Sequence, residues 1–349
     1  MTAKIQLPPY MLSSGSIPVL DLSPLAQLDF QAGQQSEFSS ETDSVKVLAG
    51  EFFETYSTIG FGYVINHGID QKLVDEVFSA SIAFHDLPEP VKLEIALNQN
   101  HRGFIPINTS TDVNSKLAQV TRPNQSESFI MLRDDQDDSA DVLSGNYLAG
   151  KNIWPDLPGF KETLTRYSTE MESLARKLVH IAALSLKEDP RSLLMNFSPP
   201  TTWLRLLHYP VAPPQRPADL YGSAPHTDFG CLTILAQDKV GGLQVKDPLT
   251  NNWINVPQIL DSFVVNVGDM LHRWSNGLLI STPHQVINPT GNERYSCPFF
   301  YDPHVSTEIN PLPNCVKTVG KTLFEPINFG EFLKTELEAS YDQHKFTAN

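Results

Sequence analysis

The sequence predicts a mainly β fold with supporting helices, in which a partly helical N-terminal portion packs against a C-terminal β-barrel or jelly roll. From about residue 200 onward, short strand-like segments alternate with turn signals, which is typical of a sandwich or barrel. Before that point, residues 158–187 carry an apolar stripe at helical spacing, which indicates one long helix. The 349 residues are ample for a large core.

The first third of the chain alternates short strand-like and helical pieces. Its polar stretch 31–43 is predicted as a loop or as the approach to the next helix. The break Leu87-Pro-Glu-Pro90 ends the second helix. The predicted elements are a strand at 17–22, a helix at 44–57, a strand within 60–68 and a helix at 70–83.

The long helix has its apolar residues at alternating steps of four and three, which places them on one stripe. This spacing also suits a coiled-coil seam, but three heptads are marginal for that, so a scaffold helix packed on a sheet is favoured. The stripe consists of Phe160, Leu164, Tyr167, Met171, Leu174, Leu178 and Ile181.

The second half is predicted to be mostly strands separated by turns such as Asp247-Pro248 and Asn251-Asn252. The predicted strands cover residues 203–209, 231–237, 242–246, 253–256, 262–267, 284–287 and 295–302.

Charge and cysteine content narrow the classes of function. The 25 basic and 40 acidic side chains give a net charge of −15, which argues against nucleic-acid and anionic-membrane partners. No apolar run approaches the roughly 20 residues of a membrane span, and the first residues lack the apolar stretch of a secretory signal. The three cysteines show no Cys-x-x-Cys spacing, so we expect a protein of the reducing cytoplasm.

Two histidines and an aspartate form a candidate metal site. His226 and Asp228 are two residues apart, so on a strand both would point into the barrel. A third ligand from a distant strand, His284, would close one face of a metal ion and leave three positions open. Two imidazoles and one carboxylate suit non-haem Fe(II). Taken alone, however, a His-x-Asp pattern is more often a chance match.

A pair of residues suited to anion binding favours the metal site over a chance match. Arg294 and Ser296 are again one strand spacing apart, so their side chains share a face. Arginine holds a carboxylate through a planar fork of donors, and the serine hydroxyl adds another donor. A chelating keto acid requires such a pair next to a facial metal site.

With these residues in place, the sequence resembles the isopenicillin N synthase-like family of Fe(II)- and 2-oxoglutarate-dependent dioxygenases over nearly its whole length. The motifs that carry the resemblance are Ile17-Pro-Val-Leu-Asp-Leu22, Gly60-Phe-Gly-Tyr-Val-Ile-Asn-His-Gly68, Arg102-Gly-Phe104, Asn152-Ile-Trp-Pro155, His226-Thr-Asp-Phe-Gly230, Val240-Gly-Gly-Leu-Gln-Val245, Asn266-Val-Gly-Asp269, Trp274-Ser-Asn-Gly277, Ser281-Thr-Pro-His284 and Arg294-Tyr-Ser296.

The resemblance implies a distorted jelly roll (double-stranded β-helix) that uses Fe(II), 2-oxoglutarate and O2. It implies four segments: an N-terminal helical and β region at 1–150, a scaffold helix at 151–200, the jelly-roll core at 201–310, and a C-terminal tail with a helix at 311–349. The implied iron ligands are His226, Asp228 and His284, and the implied contacts of 2-oxoglutarate are Arg294, Ser296 and Tyr209.

The chain departs from the family pattern at two positions. The family commonly has asparagine two residues before the tyrosine, where this chain has Leu207, which makes the role of Tyr209 less secure. It commonly has arginine after the distal histidine, where this chain has Gln285.

The resemblance implies oxidative decarboxylation of 2-oxoglutarate to succinate and CO2. This reaction is coupled to hydroxylation, desaturation or ring formation of a small molecule. We expect the small molecule to be a secondary metabolite. A keto-acid-independent iron oxidase, an ethylene-forming enzyme of the same family and a catalytically silent jelly-roll ligand-binding protein are the alternatives. The complete set of metal ligands argues against the silent protein. A nucleic-acid or histone demethylase fits the net charge poorly. We expect a monomer.

Strand alternation also predicts a substrate pocket. If Arg294 and Ser296 face into the barrel, Phe300 and Asp302 do so as well. By the same count, Arg205 shares the face of Tyr209 and Leu207. The predicted pocket therefore has an aromatic wall with two charged ends, and it suits a mostly apolar or aromatic small molecule. The alternatives are that Arg205 and Asp302 pair with each other, or that the strand has already left the barrel at these residues.

Overall fold

Two β-sheets of unequal size pack face to face in the computed structural model. The structure describes residues 17–26, 42–110, 117, 120, 122–288 and 291–340, so most of the predicted loop at 31–43 lies outside the described residues. The strands in the described part of the chain are β1 (Val19–Asp21), β2 (Phe61–Ile65), β3 (Gly103–Ile105), β4 (Glu127–Leu132), β5 (Thr201–Tyr209), β6 (Ser223–His226), β7 (Leu232–Gln237), β8 (Leu243–Lys246), β9 (Trp253–Asn255), β10 (Phe263–Val267), β11 (His284–Val286), β12 (Arg294–Asp302), β13 (Glu308–Ile309) and β14 (Ile327–Asn328).

The large sheet has the strand order β1-β2-β10-β7-β12-β5-β4-β3, and the small sheet has the order β6-β11-β8-β9. Among the described strand pairs of the large sheet, β1–β2 is parallel and the others are antiparallel. An apolar cluster between the two sheets joins Tyr63, Leu207 and Val264 of the large sheet to Leu243 and Val245 of the small one. The space between the sheets continues beyond this cluster as the cavities described below.

Helices pack around the large sheet. They are α1 (Asp43–Thr58), α2 (Gln71–His85), α3 (Glu89–Leu93), α4 (Ala140–Leu143), α5 (Phe160–Ser185), α6 (Pro190–Leu194), α7 (Asp269–Trp274), α8 (Pro313–Val319) and α9 (Phe329–Ser340). Side-chain caps fix the starts of the first two: Thr42 accepts a hydrogen bond from Val45 N, and Asp70 accepts one from Lys72 N. No helix of the described residues is long and apolar enough to cross a membrane.

Helix α5 is the scaffold helix that the sequence predicts. All seven residues of its apolar stripe are buried, and the helix packs against α1, α2, α6 and the strands β7 and β12. Because each large apolar side chain that leaves water contributes about 1.5–3 kcal/mol, this stripe is a major part of the core. The coiled-coil alternative is therefore wrong.

The predicted strands of the second half are all present, with bounds within two residues of the prediction. Three strands of the two main sheets were not predicted. Strand β6 contains Pro225, which disfavours a strand interior but is tolerated at the edge of the small sheet, where β6 lies. Strand β4 is a nearly continuous buried run without a period of two, and β3 has only three residues.

Candidate metal centre and adjoining cavities

Three side chains converge between the two sheets. His226 ends β6 and His284 begins β11, and the two residues are directly paired across these strands. Asp228 Oδ1 lies 3.7 Å from His226 Nε2 and 3.6 Å from His284 Nε2. The ligand atoms of all three residues lie within 4.8 Å of one another, a spacing that suits a single metal ion.

The shared-strand interpretation of His226 and Asp228 is wrong, because β6 ends at His226 and Asp228 lies in the following loop. Backbone hydrogen bonds hold this loop on the start of α7: Asp269 N donates to Asp228 O at 2.8 Å, and Met270 N donates to Gly230 O at 2.8 Å. The loop leaves no space for a side chain at Gly230, where a Cβ would lie 1.8 Å from Asp302 Oδ1.

The neighbours of each ligand orient it toward the shared centre. His226 Nδ1 lies 2.7 Å from Ala224 O, and His284 Nδ1 lies 3.2 Å from Thr282 O. Each Nδ1–H can therefore donate to a carbonyl, which leaves Nε2 as the basic nitrogen on the side of Asp228. This arrangement of two imidazoles and a carboxylate on one side of a metal fits Fe(II).

Asp228 is held as a carboxylate. Burial opposes its ionisation, but His284 and His226 lower its pKa, as do hydrogen bonds donated by Asn266 and Thr233 to Oδ2. The net result is a pKa below the usual range. Because Oδ2 accepts both hydrogen bonds, Oδ1 faces the histidines as an anionic ligand.

A fully buried arginine lies beside this centre. Arg294 Nη1 donates to Ser296 Oγ at 3.1 Å, and Nη2 donates to Gln237 Oε1 at 3.4 Å. The guanidinium lies 4.6 Å from the ring centroid of Tyr209, whose hydroxyl accepts a hydrogen bond from Ser296 Oγ at 3.5 Å. Arg294 Nε has no hydrogen-bond partner among the described residues, and none of their carboxylates lies within 4 Å of the guanidinium.

A buried cation without an anionic partner is costly, so the arginine fits a ligand that supplies a carboxylate. A cavity of about 100 Å³ connects it to the metal ligands. Its lining includes Tyr209, His226, Asp228, His284, Arg294 and Ser296.

A second cavity, of about 150 Å³, adjoins the first at His226 and Asp228. Arg205 and Phe300 line both cavities. The walls of the second cavity also include Trp203, Asp302, Leu333 and Leu337, the last two from α9.

The two charged residues of the predicted pocket do not pair with each other. Arg205 Nε donates to Ser128 Oγ at 2.9 Å, whereas Asp302 Oδ1 accepts from Cys231 N at 2.6 Å. Burial raises the pKa of Asp302 to about 7; the negative charge of Asp228 adds to the increase, while hydrogen bonds from Cys231 and Trp203 oppose it.

Comparison with known proteins accounts for this arrangement. Residues 200–303 match the 2OG-Fe(II) oxygenase superfamily, and residues 17–157 match the N-terminal region of non-haem dioxygenases of the morphine-synthesis type. The 2-oxoglutarate-Fe(II) type oxidoreductase hxnY of Emericella nidulans is 31% identical over 337 residues, which cover 93% of this chain and 90% of the relative. The chain belongs to the 2OG-Fe(II) oxygenase superfamily.

Further relatives agree with this assignment. The 2-oxoglutarate-dependent dioxygenase citB of Monascus ruber is 33% identical over 308 residues, covering 86% of the oxygenase and 88% of the relative. A Neurospora crassa protein, whose crystal structure holds alpha-KG and thymine, superposes with a TM-score of 0.78 at 27% identity, covering 93% of the oxygenase and 97% of the Neurospora chain. The expected jelly-roll fold is confirmed. The protein is an oxidoreductase that uses Fe(II), 2-oxoglutarate and O2.

The two departures from the family pattern have clear places in the oxygenase. Leu207 is buried among the apolar residues between the sheets and lines the cavity of Arg294. Gln285 is buried and donates from Nε2 to Gln244 Oε1 at 2.7 Å, which links β11 to β8. Neither side chain is one of the three metal-facing residues.

Sequence reasoning missed several residues that support the site. Gln237 contacts Arg294, and Asn266 and Thr233 contact Asp228. Thr233 and Gln237 lie on β7 and Asn266 on β10, at positions where a buried strand gives no chemical signal of its own. Asn266 belongs to a motif of the family resemblance, so that motif was the available signal for it.

Proposed function

We propose that the oxygenase binds Fe(II) through three residues and 2-oxoglutarate through a neighbouring trio, and that it oxidises a small molecule in the second cavity. The convergence of the three ligand atoms beside the unpartnered Arg294 carries this proposal. The proposed metal ligands are His226, Asp228 and His284; the co-substrate residues are Arg294, Ser296 and Tyr209; the substrate residues are Phe300, Asp302 and Arg205.

Each group of residues has a distinct task. Bound Fe(II) would supply the activation of O2 that accompanies decarboxylation of 2-oxoglutarate to succinate and CO2. Both cavities are lined by His226 and Asp228, so a co-substrate in the first and a substrate in the second would each lie next to the bound metal. Arg294 neutralises the distal carboxylate of the co-substrate, and Ser296 and Tyr209 fix its direction. The apolar walls of the second cavity position the substrate and limit access of water.

The first prediction tests the metal site. Asp228→Ala removes the anionic ligand, so we expect anaerobic Fe(II) binding to fall from one ion per chain to an undetectable level. The absorption band that Fe(II) gives with 2-oxoglutarate should disappear as well, together with succinate formation. Asp43→Ala, which removes an exposed carboxylate in the first turn of α1, is the matched control. Full activity in Asp228→Ala would refute the assignment.

A keto-acid-independent oxidase, the alternative considered from the sequence, differs from this enzyme in the products that it forms. Measurement of succinate formed per molecule of product distinguishes the two: a ratio of at least one supports 2-oxoglutarate dependence, and product without succinate supports the oxidase. The four-segment division, a monomeric state, a cytoplasmic location and the lack of nucleic-acid or membrane partners stay predictions.

A further inference from the structure

The second cavity contains an arginine without an acidic partner. Arg205 is half-buried on β5, and its guanidinium uses Nε for the hydrogen bond to Ser128 Oγ. No carboxylate in the described part of the chain lies within 4 Å of it. Its Nη1 and Nη2 groups, which form the fork that binds carboxylates end-on, make no hydrogen bond to any described residue.

Other arginines have their donors or charge satisfied within the protein. Arg122 pairs with Asp219 at 2.9 Å, Arg133 pairs with Asp135 at 2.7 Å, and Arg102 donates to three backbone carbonyls. Arg205 and Arg294 differ from Arg122 and Arg133 because neither has a carboxylate partner among the described residues. Arg205 also differs from Arg102, because its hydrogen bond to a described residue comes from Nε alone.

Only one of these two cavity arginines is explained by the co-substrate. The distal carboxylate of 2-oxoglutarate is assigned to Arg294, and its other carboxylate and keto group would be held at the metal site. Arg205 is therefore left for a second anion. Arg205 lines the second cavity, which Arg294 does not reach, together with Trp203 and Phe300, and it also lines the first cavity.

The surroundings of Arg205 favour an acidic ligand with a ring. The aromatic side chains of Trp203 and Phe300 and the leucines of α9 exclude water, which strengthens a charge pair with the guanidinium. Asp302 does not attract a cation in the same way, because its carboxyl group is almost fully buried and accepts hydrogen bonds from Cys231 and Trp203.

We propose that the substrate is a cyclic carboxylic acid. Its carboxylate pairs with Nη1 and Nη2 of Arg205, and its ring packs between Trp203, Phe300 and the α9 residues Leu333 and Leu337. This inference rests on the proposed function, since it names the substrate class of the same site.

Calorimetric titration of the full chain, loaded anaerobically with Fe(II) and 2-oxoglutarate, tests the proposal. The probes are benzoate, cinnamate and 1-naphthoate, each beside its neutral primary amide. We expect at least one acid to bind, and to bind about tenfold or more tightly than its amide. Arg205→Gln should weaken acid binding about 10- to 100-fold and change amide binding less than threefold. Arg166→Gln removes an exposed arginine charge and should preserve the preference.

Three results would overturn the proposal: equal binding of acids and amides, failure of every acid to bind, or a loss of 2-oxoglutarate affinity in Arg205→Gln as large as the loss for the acid. The last result would assign Arg205 to the co-substrate. If Arg205→Gln unfolds at a lower temperature, Arg205→Lys retains the charge and should retain the preference for acids.

The absorption band of Fe(II) with 2-oxoglutarate reports separately on the proposed function. If the unmodified protein lacks this band, both the proposed function and the proposed substrate class are wrong. If the band is present but acids bind no more tightly than amides, only the proposed substrate class is wrong.

Discussion

At the residue scale, Arg294 shows how a side chain can be placed for a ligand and not for the core. It is fully buried, yet its contacts are a serine, a glutamine and the face of a tyrosine, none of which carries an opposite charge. Burial without a counter-charge lowers stability, so the presence of this arginine is best explained by the anion that we propose it binds.

The second prediction follows from this burial. Arg294→Ala should weaken 2-oxoglutarate binding about 10- to 100-fold, because a charge-assisted pair contributes about 1.5–3 kcal/mol. Titration of the Fe(II) absorption band with 2-oxoglutarate measures the effect, and Arg166→Ala on the exposed surface of α5 is the control. An unchanged dissociation constant for 2-oxoglutarate would exclude Arg294 from the co-substrate site.

The third prediction concerns Phe300, which lies where the two cavities meet. Phe300→Ala removes an aromatic wall of the substrate cavity, so the substrate is held less well relative to the metal. We expect the ratio of product to succinate to fall several-fold, because decarboxylation then proceeds more often without substrate oxidation. A constant ratio with an equal loss of both activities would indicate a structural role for Phe300.

At the element scale, the loop that carries Asp228 is held between α7 and β12. Gly230 in this loop packs directly against Asp302 of β12, with no space for a methyl group. Asp228 is therefore positioned by a close approach of backbone to side chain, and not by the regular geometry of a strand.

The fourth prediction exploits this contact. Gly230→Ala should displace the loop, cost about 1–3 kcal/mol of stability and weaken Fe(II) binding at least tenfold. Gly50→Ala is the control: a methyl group there meets no atom within 4 Å in the exposed face of α1, so stability should rise by up to about 1 kcal/mol. Anaerobic metal titration and thermal unfolding measure both effects. Normal Fe(II) affinity in Gly230→Ala would show that the loop can adjust.

The same loop marks the limit of sequence reasoning. Alternating patterns and turn residues were sufficient to predict the strands of the second half. The helical stripe was sufficient to predict α5. The path of the chain after β6 could not be predicted, because Pro225 obscures the strand and the position of Asp228 depends on α7, some 40 residues later. The supporting roles of Gln237 and Asn266 were inaccessible for a related reason: they depend on which strands become neighbours.

At the scale of the whole molecule, buried neutral histidines link stability to pH. His85 ends α2, is almost fully buried, and its Nδ1 lies 2.7 Å from Ser81 O, while its Nε2 has no partner among the described residues. Burial lowers the pKa of His85 to about 3; the charges of His208 and Lys92 act in the same direction, and Glu127 opposes them.

The fifth prediction is the resulting acid sensitivity. The folded-state pKa of His85 lies below the unfolded value of about 6.5, so its contribution to stability is complete above pH 6.5 and is lost as the pH falls toward 3. At pH 5 the loss is about 2 kcal/mol. Urea unfolding at pH 7.5 and pH 5 should therefore show a smaller pH effect in His85→Gln than in the unmodified protein. Equal effects would mean that His85 does not titrate on unfolding.

The strand order of the large sheet has a consequence for the synthesis of the chain. Strand β2 pairs on one side with β1, which precedes it closely, and on the other side with β10, which follows roughly 200 residues later. At about 5–20 residues per second, a nascent chain keeps that edge of β2 open for roughly 10–40 s before β10 leaves the ribosome. During this interval β2 lacks its strand partner on that edge, whereas the apolar residues that pack on its face from β5 and β8 are made before β10. Translation speed and chaperone access therefore bear on the yield of the native enzyme.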